Sequence, residues 1–101
     1  MSMEAKPIDI IMEFKRWAAQ IRQNGRQVYR WYQKLVHATM IVEICLWREM
    51  PKEMRLGWKE HKAELKELGF GIAKLDEEDF ILFCNAENAR KWLEDDKILA
   101  N

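Results

Sequence analysis

From Gln27 to Glu49 the chain contains no Gly, Pro, Ser, Asn or Asp. A run this long without a turn former must be spent inside regular structure, and its assignment decides the fold class. Val28, Trp31, Leu35, Ala38, Val42, Cys45 and Leu46 recur at three- and four-residue steps, which predicts one long helix. Its second half is apolar nearly all round, because Met40, Ile41, Ile44 and Trp47 lie off the stripe. Such a helix is either central or covered by a partner. The competing reading is a buried strand over 38–47, since Thr39, Ile41, Val42 and Ile44 are β-branched. The absence of a breaker between His37 and Ala38 favours the helix.

The flanks are easier to punctuate. A first amphipathic helix follows Pro7, with Ile10, Ile11, Phe14, Trp17, Ala18 and Ile21 on one face and a stop at Asn24-Gly25. Pro51 is expected to open a third helix that ends at Gly69, with Met54, Trp58, His61, Leu65 and Leu68 as its inner seam. Lys59, Lys62 and Lys66 form a row beside that seam, and Glu60, Glu64 and Glu67 another. Like charges therefore meet at helical spacing, and each row gains from a complementary surface. Residues 69–84 change period: two short apolar runs flank Asp76-Glu77-Glu78, an antiparallel hairpin with a charged tip. Asn85 is a good N-cap for a closing helix carrying Ala86, Ala89, Trp92 and Leu93 inward. The expected fold is thus α+β in a single domain over 1–101: three N-terminal helices, a β-hairpin (about 69–84) and a C-terminal helix, the alternative using 38–47 as a third strand.

Composition narrows the function. The 101 residues are 49% apolar, with 17 basic and 17 acidic side chains, far from a disordered or low-complexity chain. The first residues lack the apolar run of a signal peptide, and the apolar stretch from Leu35 to Trp47 is interrupted by His37 and Glu43 and is too short to cross a bilayer. No membrane association is expected, and the expected compartment is the reducing cytoplasm. Cys45 and Cys84, far apart among apolar neighbours, suit buried free thiols there.

Chemistry has little to work with. Ser2, Thr39 and the two cysteines stand against His37 and His61, with no recognisable nucleophile and base pair. His61, on the seam, reads as a core or interface histidine. Zinc spacings are missing, and the Asp76–Asp79 acids lack the glycine and alternation of a calcium loop, so they read as a solvated turn. Gly69-Phe70-Gly71 runs into a strand without the lysine of a phosphate cradle. No catalytic residue, cofactor or metal is expected, and the chain reads as no enzyme.

The neutral total conceals an uneven distribution. No acid falls between Glu13 and Glu43, where Lys15, Arg16, Arg22, Arg26, Arg30, Lys34 and His37 are interleaved with Tyr29, Trp31 and Tyr32. Residues 75–101 carry eight acids against Arg90, Lys91 and Lys97. The basic segment could track a phosphate backbone, with aromatics stacking on bases. Alternatively it pairs with the acids of the same chain. A pI of 6.7 is low for a dedicated nucleic-acid domain, which favours a protein partner. The expectation is a small non-enzymatic interaction module, a regulator or inhibitor of a larger protein that self-associates through the long helix. Arg22, Arg26, Arg30 and Lys34 would steer, and Tyr29, Trp31 and Trp47 would anchor. The alternative is RNA or single-stranded DNA binding through 15–37.

Overall fold

A computed structural model describes residues 9–24, 27–30 and 39–99. Helix α1 (Ile10–Asn24) is capped by Asp9, whose Oδ1 accepts the Met12 N–H at 3.1 Å. It is followed by strands β1 (Gln27–Arg30) and β2 (Thr39–Leu46), a 3-10 turn (Trp47–Glu49), helix α2 (Lys52–Glu67), strands β3 (Phe70–Lys74) and β4 (Phe80–Asn85), and helices α3 (Ala86–Leu93) and α4 (Asp96–Leu99). The strands form one antiparallel sheet in the order β1-β2-β4-β3.

The molecule is therefore mixed helix and sheet, but it does not carry three consecutive N-terminal helices. Among the described residues, the predicted helix over 27–49 gives way to β1, β2 and the short turn. The reason is tertiary. Ile41, Val42 and Ile44 are all less than a tenth exposed, and alternation sends Val42 and Ile41 to opposite faces of an inner strand. β2 also gives β4 its second partner, pairing Val42 with Cys84 and Leu46 with Ile81 across a bulge between Glu43 and Cys45. Long-range hydrogen bonding and two-sided burial outweigh the helical spacing. The alternative reading, a strand over 38–47, matches β2, and β1 adds a strand that was not anticipated.

Register separates the two faces of the sheet, because directly paired residues share a side. Val42, Phe70, Ile72, Leu82 and Cys84 turn to the helices, where they join Phe14, Ala18, Trp58, Leu65, Ala86 and Ala89 in one core. Helix α1 packs most extensively on α3, and each carries two fully or nearly fully buried alanines, at 18 and 19 and at 86 and 89, side chains small enough for close approach. Helix α2 lies against α1 and β3. Its Leu65 is fully buried, and truncation to Ala is worth about 2–5 kcal/mol at such a site.

The seam of α2 departs from its prediction at one residue. Trp58 and Leu65 are buried and Met54 and Leu68 pack against the core, but His61 is exposed. Its backbone leaves helical geometry (φ −118°, ψ 22°), so the angular step changes there and the residue is not carried inward.

Candidate functional site

β3 is a terminal strand, and Phe70 fixes it on the helix layer. The Phe70 ring stacks on Trp92 (5.4 Å, 10°) and meets Phe14 edge-on at 5.5 Å. Phe14 in turn lies 6.3 Å from Trp58. These aromatic contacts tie β3 to α1, α2 and α3 at once.

Beside this strand runs an open groove of about 890 Å³ between α2, the Trp47 turn and the β3–β4 hairpin. Its apolar surface comes from Trp47, Trp58, Phe70, Ile72, Phe80 and Phe83, and its charge from Lys59, Lys62, Lys66 and Lys74. Among the described residues no carboxylate lines it. All four lysines are exposed, so their ammonium groups remain hydrated while their stems rim the apolar floor. Phe80 is 40% exposed at the mouth. A cationic rim over an aromatic floor favours an anion with apolar parts.

The local sequence explains the arrangement. Lys59, Lys62 and Lys66 come from both sides of the irregular His61 turn of α2, and all three line the groove. Gly69 turns the chain from α2 into β3 with φ +98°. Asn88 Nδ2 donates to the Leu68 carbonyl at 2.9 Å, while Asn85 Oδ1 accepts the Asn88 N–H at 3.0 Å, joining the helix end to the start of α3. At the other end of the hairpin, Asp76 Oδ1 accepts the N–H groups of Glu78 (2.9 Å) and Asp79 (2.8 Å). Arg48 reaches Asp79 at 3.3 Å, fastening the tip to the turn that carries Trp47.

Among the described residues, the sequence-predicted site residues are divided between α1, β1 and the Trp47 turn. Trp47 lines the groove. Arg22 is half-buried in the last turn of α1 and contributes to holding the Glu87 carboxyl below its ordinary range, behind the larger effect of Arg90. Tyr29 and Arg30 occupy β1, paired with Met40 and Thr39. Arg26, Trp31 and Lys34 lie outside the described residues, as does His37. Other α1 cations meet the chain's own C-terminal part: Arg16 Nε donates to the Ile98 carbonyl at 2.9 Å and also pairs with Glu13, and Lys15 Nζ stands 5.9 Å above the Trp92 ring. The lysine row of α2 was visible in the sequence. Lys74, Ile72, Phe80 and Phe83 were not singled out; the hairpin pattern carries them, but only the strand order brings them beside α2.

Neither cysteine is an activated nucleophile. Both are free; burial pushes the Cys45 thiol up to about 11, with the Glu49 charge adding to it, and burial raises Cys84 as well. Among the described residues no group of His, Cys, Asp and Glu is placed to hold a metal ion, and no helix is long and apolar enough to cross a membrane. No known family, curated protein or solved structure matches the chain.

Proposed function

We propose that the protein is a small non-enzymatic interaction module that regulates a larger protein by receiving an acidic part of it in the lysine-rimmed groove. The observation that carries this reading is a groove whose described lining combines four lysines and a mostly aromatic floor, with no carboxylate among the described residues. Tryptophan and phenylalanine supply apolar contact area at low entropic cost, and the lysines steer the encounter and set its sign.

Affinity capture from the native cell with wild-type protein and with the K59E/K62E/K66E variant, read for proteins and nucleic acids, tests the proposal. The expected result is a protein recovered by the wild type and lost from the variant. Recovery of the same protein by both, or of nucleic acid in place of protein, would overturn it. A nucleic-acid result would return attention to the basic segment 15–37 and to a steep salt dependence.

A further inference from the structure

Two backbone hydrogen bonds fix which way the groups of β3 point. Asn85 N–H donates to the Gly69 carbonyl at 3.0 Å and Leu75 N–H to the Asp79 carbonyl at 2.8 Å. Both pairs continue the β3–β4 register, in which Gly71 opposes Phe83 and Ala73 opposes Ile81. Antiparallel pairs alternate between hydrogen-bonded and non-hydrogen-bonded, so Gly69, Gly71, Ala73 and Leu75 address β4. Phe70, Ile72 and Lys74 therefore direct their N–H and C=O groups away from β4, to the open side of the sheet. Among the described residues no strand pairs with that side.

We infer that β3 is a docking edge for an acidic, extended segment of a partner protein, which adds antiparallel as a fifth strand with its carboxylates turned to Lys59, Lys62 and Lys66. The inference rests on the groove being the interaction site and specifies the partner's chemistry. Strand addition satisfies the outward backbone groups, and side chains at every second position then select the sequence. In an antiparallel addition the residue opposite Ile72 exchanges both hydrogen bonds with it and shares its face, the side covered by α2. That residue and its neighbours two positions away lie beneath the lysine row, where Glu or Asp fits. The intervening residues fall on the other face beside the Phe83 ring, which lies over Gly71, and apolar side chains fit there.

Two other occupants fit less well. A second copy pairing symmetrically through β3 would set one lysine row against the other. Within the chain, the segments outside the described residues contain a single acid, Glu4, so they do not supply a carboxylate at alternate positions. Lysines do protect bare edges from aggregation. That role needs charge on the edge strand itself, as Lys74 provides, and leaves the three lysines across the groove on α2 without an account.

The test uses a capped peptide of about eight alternating Glu and Val residues, long enough to run past β3. Binding is followed by the fluorescence of the groove tryptophans and by the amide signals of Phe70, Ile72 and Lys74. N-methylation of the Glu residues removes the N–H groups that face β3 and is expected to weaken binding at least about tenfold, while N-methylation of the Val residues leaves it nearly unchanged. A peptide of the same composition with Glu and Val in separate blocks is expected to bind at least about tenfold more weakly. Equal binding of the two methylated peptides would overturn strand addition while leaving the capture result above to judge the groove itself. Tighter binding of an oligothymidylate of equal charge, or a dimer that the peptide does not disperse, would overturn the choice of occupant. Because backbone methylation changes only the probe, the outcome does not depend on a variant folding.

Discussion

The Phe83 ring lies across Gly71 on the neighbouring strand, so close that a β-carbon at position 71 would come within 2.5 Å of the ring's Cζ. The ring thereby occupies the place of a β3 side chain at the edge of the groove. Gly71→Ala is expected to displace the ring rather than unfold the sheet, because Phe83 is only half-buried. Alanine gains about 0.4–1 kcal/mol through a narrower unfolded ensemble and loses a similar amount to the displaced ring, so stability should move by less than about 1 kcal/mol. Acidic-peptide affinity should fall despite that small change. Urea denaturation of Gly71→Ala, Phe83→Ala and the double variant checks the mechanism: in the Phe83→Ala background the alanine should be stabilising, and an additive cycle would contradict it.

Gly69 is held from the other direction. With φ +98°, any L residue there is strained, and an added β-carbon would meet Asn85 Cβ and Asn88 Nδ2, each at 2.9 Å. Gly69→Ala should therefore cost about 1–3 kcal/mol, well beyond Gly71→Ala. Asn85→Ala, which removes the acceptor for the Asn88 N–H, should cost about 1 kcal/mol. Thermal and urea unfolding of the two variants measures both losses.

These positions also mark what was legible in the sequence. Gly69, Asn85 and the change of period between 69 and 84 act locally, through a left-handed turn, a side-chain cap and alternation, so the helix end, the hairpin and the start of α3 could be placed from residue types alone. The segment 39–46 could not, because Ile41, Val42 and Ile44 fit a fully apolar helix face as well as an inner strand. What decides between them is β4, whose residues pair with β2 from 35 to 44 positions further along the chain, so the local pattern cannot show the partner. The basic stripe depended on the same assignment: Arg26, Arg30 and Lys34 share a face only if the chain is helical there, and Arg30 lies in β1. The groove was half legible. Lys59, Lys62 and Lys66 form a row in the sequence pattern of α2, whereas Lys74, Phe80 and Phe83 join them only once β3 is known to be the terminal strand.

The hairpin tip should respond to acid. Backbone hydrogen bonds from Glu78 first, and then from Asp79, hold the Asp76 carboxyl below its ordinary value, with Arg48 and Lys74 adding to the effect. A lowered folded-state value means that the charged form favours the turn. Its contribution is complete above the unfolded carboxylate pKa of about 3.9 and is lost as pH falls through the lower folded value. The amide signals of Glu78 and Asp79 should therefore titrate together with a midpoint below about 3.9. Asp76→Asn keeps an acceptor oxygen but removes the charge, and should abolish that shared transition while the turn persists. Independent midpoints for the two amides would contradict the shared acceptor.

Lys62 offers a test in which stability and binding move in opposite directions. Lys62 lines the groove with Lys59 before it and Lys66 after it along α2, so it sits between two like charges. Lys62→Glu replaces both repulsions with attractions, each change worth a few tenths of a kcal/mol, and should stabilise the protein by about 0.5–1 kcal/mol at low salt. The gain should shrink as salt screens the exposed pairs. The same substitution places a carboxylate in the groove and should weaken the acidic peptide at least about tenfold, since one attraction is lost and one repulsion added. A row retained for folding alone would show the opposite sign in the unfolding experiment. Unfolding midpoints and peptide titrations at two salt concentrations therefore separate a lysine row maintained for a partner from one that merely solvates a helix.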